Sequence, residues 1–192
     1  RDDPTTPFGA SLAHVEQVAR DAGQSAGVPV TFLRCAPILG PSFPSPVGRY
    51  LRLPVVAVNP MAELPFSVLH QEDAAAAFVS AANVGHDGPL IVPGPGAVTA
   101  SQAVLIGGRV PLPVMGPAWW LAGRSADLLG APLPPHVAEI VVRGGVADGD
   151  SGRTVLGVDP RPTREVIEQL YHWEKVAMVP VTHGRSDGRA SG

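Results

Sequence analysis

A single cysteine, Cys35, stands in the 192 residues, which excludes an intramolecular disulfide and makes a reducing cytoplasm the simplest expected setting. No apolar run reaches the ~18 residues that a membrane-spanning helix needs, and no charged-then-apolar leader opens the sequence, so no membrane partner is expected. Charged residues make up only 16% with a formal net charge of −3, and the Arg side chains are scattered, so no nucleic-acid-binding face is expected either. The 6 His have no pair at zinc-ligand spacing with Cys or with another His, so no metal site is expected. Lysine is almost missing: of 14 basic side chains only Lys175 is one. That scarcity removes the ammonium group from nearly every position where chemistry could use it.

What the chain has in quantity is small or apolar. Gly and Pro each number 22, and 45% of residues are hydrophobic. This suits a globular fold of one domain, or a domain with a subdomain, and not a disordered chain. Arg in place of Lys, with so much Gly and Pro, looks like the bias of a GC-rich genome of actinobacterial type. The first residue is Arg1 and the pattern opens inside an α/β unit, so a fragment or a processed form is expected.

Residues 28–41 organise the rest. Val28 to Leu33 is a β-branched, apolar run of strand length, and Arg34 breaks it into a loop marked by Pro37, Gly40 and Pro41. A strand that runs into a Gly/Pro loop at its carboxyl end is where open α/β sheets place ligands. Upstream, Phe8, Leu12, Val15 and Ala19 recur at steps of three and four and define one face of a helix of about 14 residues that Gly23 and Gly27 close. Helix, turn and buried strand make half of a βαβ unit. Downstream, the pattern predicts helical turns over 49–52, strands over 54–58 and 65–70, and a helix over 74–82 capped by Asp73. It then predicts a strand over 90–92, a helix from Thr99 or Ser101 to Ile106, and an extended stretch over 110–115. A helix beginning at Pro117 carries Trp119 and Trp120, one expected in the core and the other at an interface. An apolar segment over 137–142 and a helix over 163–173 follow, and residues 180–192 read as a disordered tail.

Four local patterns, in order, carry a resemblance. They are Leu33-Arg34-Cys35-Ala36-Pro37-Ile38-Leu39-Gly40-Pro41, His70-Gln71-Glu72-Asp73-Ala74-Ala75, Ile91-Val92-Pro93-Gly94-Pro95-Gly96, and Asp148 followed by Leu156-Gly157-Val158-Asp159-Pro160. Over residues 8–173 this order resembles the C-terminal half of the extended short-chain dehydrogenase/reductases, the NAD-dependent epimerases and dehydratases of sugar nucleotides. The resemblance implies an α/β fold: the C-terminal part of a Rossmann-like doubly wound sheet over residues 1–41, and a small mixed α/β substrate-binding cap over 42–179 with elements returning to the sheet. It implies NAD or NADP as cofactor of the full-length protein, with Cys35 and Ala36 at the nicotinamide and Pro37 at the substrate. It also sets Arg49 and Arg52 where such proteins meet a nucleotide-sugar phosphate, a task that suits Arg. A small-molecule substrate and a homodimer through the first helix are further expectations by analogy.

The same resemblance exposes two departures. No Gly-x-x-Gly-x-x-Gly turn precedes Phe8, so this chain alone is not expected to hold a dinucleotide. The family's catalytic Tyr-x-x-x-Lys falls on Phe8 and Leu12, and neither an aromatic ring without a hydroxyl nor an isobutyl group can exchange a proton. General acid–base help is worth about 10²–10⁴-fold. The sequence therefore supports two functions: an enzyme of epimerase, dehydratase or reductase type, or a degenerate relative that binds a dinucleotide or a partner as a sensor or scaffold. An unrelated α/β domain is a third. Tyr171 and Lys175 satisfy Tyr-x-x-x-Lys literally, but on a C-terminal helix end with no strand after it, where Lys175 would answer the helix dipole. His14 and Glu16 are expected on the exposed side of the first helix, His70 and Asp73 as strand end and helix cap, and Asp148 as a loop tie.

Overall fold

The computed structural model describes residues 7–61, 63–115, 138–140 and 144–173. The helix expected from Pro117, half of the segment over 137–142, Lys175 and the expected tail lie outside the described residues. In chain order the elements are α1 (Pro7–Ala26), β1 (Thr31–Cys35), β2 (Ile38–Leu39), α2 (Pro46–Leu51), β3 (Val55–Val58) and β4 (Leu69–His70). They continue with α3 (Gln71–Val84), β5 (Gly88–Val92), α4 (Ala100–Ile106), β6 (Val110–Pro113), α5 (Asp150–Leu156) and α6 (Thr163–His172).

The first helix is 20 residues long, past the 14 that the glycines suggested. Gly23 continues it because the helix lies so close to the following chain that a Cβ there would stand 2.9 Å from the Val28 carbonyl oxygen. The turn comes at Gly27, at φ 68°, a conformation glycine adopts without steric cost. The strand then begins later than its apolar run. Pro29 has no N–H to give, and the Val30 N–H is taken by the Asp87 carboxylate at 3.0 Å, so the ladder opens at Thr31. Arg34, expected to end the strand, lies within it.

Among the described residues all three strand pairs are parallel. β1 pairs with β5 from Thr31↔Gly88 to Cys35↔Val92, β2 with β4 at Ile38↔Leu69 and Leu39↔His70, and β3 with β6 from Val55↔Val110 to Val58↔Pro113. Parallel pairs need crossovers, and α3 supplies the return to β5. Among the described residues β1 pairs on one edge only. Two apolar cores result. Leu69, Ala74, Ala77, Leu90, Val92 and Leu156 join α3 and α5 to the β1–β5 pair. The larger core gathers Leu39, Leu51, Val56, Phe66, Val104 and Ile167 with their neighbours under α2, α4 and α6. Leu39 belongs to one core and Leu69 to the other, so the short β2–β4 pair is the seam between them.

Several local expectations change. The helical turns after the organising loop are residues Pro46–Leu51, because Ser45 caps them by accepting the Gly48 N–H and Pro46 occupies the first turn. The stretch over 65–70 is a strand only at its last two residues, Phe66 being bridged instead to Val98 and Gly145. The cap of α3 is His70, whose ring accepts the Glu72 N–H, and not Asp73, which lies in the first turn. α4 takes Thr99 as its cap, with Gln102 reaching back to complete a capping box. α5 was not expected at all.

Candidate functional site at the carboxyl ends of β1 and β5

α1 lies on β1 in antiparallel register, through polar groups. Glu16 accepts two hydrogen bonds from Arg34, at 3.0 and 2.6 Å, the Arg20 guanidinium stands 5.3 Å over the Phe32 ring, and Gly23 meets Val28 and Val30. This corrects the expectation of a solvated Glu16, which is only about one-fifth exposed. Four helix residues advance about 6 Å and two strand residues about 6.6 Å, which matches the spacing of the Arg20–Phe32 and Glu16–Arg34 contacts. The stripe of Phe8, Leu12 and Val15 is turned roughly 80° around the helix from the line that meets the strand. Phe8, Leu12, Val15 and Val18 are all half exposed or more, and Gly23 is the one buried residue of α1.

The loop beyond β1 is tied down by its backbone. The Ala36 N–H donates to Val92 O at 3.1 Å, and Pro37 O accepts from Leu69 N–H at 3.0 Å. Gly40 packs so closely on the Gln71 side chain that a Cβ would overlap it, and the Gln71 carbonyl oxygen accepts the Ser42 N–H at 3.1 Å. Burial pushes the Cys35 thiol above its ordinary value of 9.0, so at neutral pH it is a protonated apolar wall and not a nucleophile.

Arg49 lies in α2 and Arg52 is the residue that ends it. The Arg52 Nε donates to Gly48 O at 3.2 Å and so closes its own helix. The Arg49 Nε is buried with no hydrogen-bond partner among the described residues. Tyr171 is committed to structure: its hydroxyl lies 2.8 Å from Ala103 O and 3.2 Å from Leu51 O, and its ring packs on Gly107. Asp148 accepts the Asp150 N–H at 3.0 Å and starts α5. Near it, a cleft of about 340 Å³ opens between the loop that ends β5, Pro93 to Ala97, and the segment carrying Asp148 and Arg153.

Arg161 is the residue that the sequence left unmarked. Its N–H donates to Asp73 Oδ2 at 2.9 Å, its Nη2 to Glu72 Oε2 at 2.6 Å, and its Nη1 meets the Nδ1 of His70. Two residues on, the buried Thr163 hydroxyl accepts the Val68 N–H and lies 3.2 Å from Gly94 O. The signal for this cluster was Pro160-Arg161-Pro162, an arginine held between two prolines. No group of three or more His, Cys, Asp or Glu that could hold a metal occurs among the described residues, and no helix there is long and apolar enough to cross a membrane.

No protein-family model matches the chain. Uncharacterized proteins of Mycobacterium tuberculosis and Mycobacterium bovis are 34% identical over 93 residues, which is 48% of this chain and 25% of theirs. Among solved structures, the chain is similar to a UDP-glucose 4-epimerase of Thermotoga maritima with UDP-glucose (TM-score 0.62, 18% identity, 89% of this chain and 54% of that one). It is similar to a dTDP-glucose 4,6-dehydratase of Bacillus anthracis in complex with NAD (0.62, 14%, 89% and 52%) and to a UDP-N-acetylglucosamine 4-epimerase of Bacillus cereus (0.58, 14%, 90% and 56%). The chain spans about a quarter of the relatives' length in the matched stretch and about half the length of these structures. What the likeness establishes is the fold: an α/β chain with parallel strand pairs, folded like the corresponding part of Rossmann-type epimerases and dehydratases.

Proposed function

We propose that this chain is the substrate-side part of an NAD(P)-dependent epimerase-, dehydratase- or reductase-like protein acting on a sugar nucleotide or a similar hydroxyl-bearing small molecule. The observation that supports the proposal is the loop at the carboxyl end of β1, where the Ala36 N–H donates to Val92 O and Pro37 O accepts from Leu69 N–H, in the place where α/β sheets take ligands. The edge of β1 left open among the described residues and the exposed stripe of α1 leave room for further sheet and helix, and a solved neighbour of which this chain covers 52% is in complex with NAD.

The residues present fit only one end of such a cofactor. Cys35 and Ala36 offer an apolar wall suited to a nicotinamide ring, but the Ala36 N–H is already bonded and the sequence holds no Gly-rich turn for a pyrophosphate. The cradle would belong to the rest of the protein. A bound dinucleotide would supply the hydride acceptor. This chain's own residues would exclude water at the rim, with Pro37 shaping the substrate space and the Arg49 guanidinium turned to a phosphate.

Phe8 and Leu12 favour a second reading, in which the protein binds a dinucleotide or a partner without turning substrate over. The test uses the full-length protein and its Phe8→Tyr/Leu12→Lys variant, read by nicotinamide absorbance with candidate sugar nucleotides. A gain of about 10²-fold or more in the variant supports the second reading. Turnover by the unaltered protein at an ordinary enzymatic rate overturns it. Failure of the full-length protein to bind NAD or NADP in calorimetry overturns both cofactor readings.

A further inference from the structure

His70 ends β4, sits in register with Leu39 directly before the Gly40 loop, and is only 5% exposed. Its Nδ1 accepts the Glu72 N–H at 3.2 Å and also meets the Arg161 guanidinium. Two donors converging on Nδ1 require a lone pair there, which assigns the ring proton to Nε2. On the ring's other side the Trp173 ring lies at 5.5 Å, tilted by 53°. One neutral imidazole therefore touches the start of α3, the Arg161 segment and the end of α6.

We propose that His70 is a proton-operated latch on the carboxyl-end rim: neutral, it joins α3, the Arg161 segment and the end of α6, and protonation opens that seam. A proton on Nδ1 would remove the acceptor that the Glu72 N–H and the Arg161 guanidinium share and set a cation against Arg161, with the Glu72 carboxylate 3.7 Å from Nδ1 as the group that answers it. Among the described residues the acidic groups facing the ring are Glu72 and Asp73 from α3 and Glu165 from α6, and they favour the charged form. They do not prevail. Glu72 is two-thirds exposed and already bonded to Arg161, and Asp73 is engaged by the Arg161 N–H. Burial first and Arg161 second hold the ring below its ordinary value of 6.5. The linkage sign follows: the unfolded ring takes up its proton first, so the latch is fully closed above 6.5 and its contribution is lost as pH falls through the lower folded value.

Opening would reach the site. Release of Arg161 frees Glu72 beside Gln71, which holds the Ser42 N–H and so the loop carrying Pro37 and Gly40. The seam of Thr163 with Val68 and Gly94 is two residues away.

Hydrogen exchange of the 192-residue chain, corrected for intrinsic rates, tests this between about pH 7.5 and about pH 5. Protection over residues 68–75 and 159–173 should fall several-fold with acid, while residues 55–58 and 100–106 hold theirs. His70→Asn keeps a short acceptor for the Glu72 N–H without a titrating ring, so its protection should stay level. An equal fall in the variant, or none in the parent chain, overturns the latch. An independent reading is the ring carbon resonance of His70 in the parent chain and in Arg161→Gln. A midpoint below 6.5 that rises in Arg161→Gln is expected, and a midpoint at or above 6.5 in the parent chain overturns the proposal.

Discussion

Glu16 and Arg34 hold α1 against β1 by two hydrogen bonds, Nε to Oε1 at 3.0 Å and Nη2 to Oε2 at 2.6 Å. The helix meets the strand through charge while Phe8, Leu12 and Val15 face elsewhere, the reverse of an ordinary amphipathic helix on a sheet. Removal of one partner should therefore release α1. Both side chains are a fifth to a third exposed, so the pair is screened, and Glu16→Ala is expected to cost about 1–2 kcal/mol. Urea unfolding of both single variants and the double variant checks this. A coupling energy near zero would mean that α1 is held by something else.

The exposed stripe makes an opposite prediction for two forms of the protein. In this chain Val15→Ser and Leu12→Ser remove side chains that are half exposed or more, and each should change stability by no more than about 0.5 kcal/mol. If further sheet covers the stripe in the longer protein, the same substitutions there should cost about 1.5–3 kcal/mol each. Denaturation midpoints of the two forms, compared variant by variant, decide the matter. Equal small effects in both would leave the stripe uncovered and remove one support of the proposed function.

How far residues alone specify this fold can be argued from particular positions. The helix over 163–173, the extended stretch over 110–115 and the capped helix after Thr99 were legible because periodicity or a capping residue announces them locally. The start of β1 was not, because it depends on Asp87 from 57 residues away accepting the Val30 N–H. Arg34 reads as a strand breaker until Glu16 is seen to neutralise it. Arg161 was not legible, since its three partners lie 88 to 91 residues earlier.

α5 was missed for a reason that supplies a third prediction. Gly152 sits in its middle and lowers its helix propensity, so a Gly→Ala change there would ordinarily stabilise by about 1 kcal/mol. Here a Cβ would overlap the Ile91 carbonyl oxygen, because the helix lies directly on the β5 backbone. The obstacle is backbone, which cannot swing aside, so the clash wins over propensity. Gly152→Ala is expected to destabilise by about 1–3 kcal/mol in thermal or chemical unfolding. A stabilised variant would show that α5 stands off the strand.

Thr163 is the best place to separate hydrogen bonding from packing at the seam of the two cores. It is fully buried, its hydroxyl oxygen accepts the Val68 N–H at 3.2 Å, and the same group lies 3.2 Å from Gly94 O. Thr163→Ser keeps the hydroxyl and loses one methyl, which should cost about 0.8 kcal/mol plus a small cavity contribution. Thr163→Val keeps the volume but leaves the Val68 N–H without its partner in a dry site, at about 1–3 kcal/mol. Valine should therefore be the more damaging change although it is the closer match in shape. The Val68 backbone leads into β4 and the Gly94 backbone follows β5, so the loss should appear in one cooperative transition shared by both cores. If serine proves worse than valine in urea unfolding, methyl packing and not the hydroxyl holds α6 to the ends of those strands.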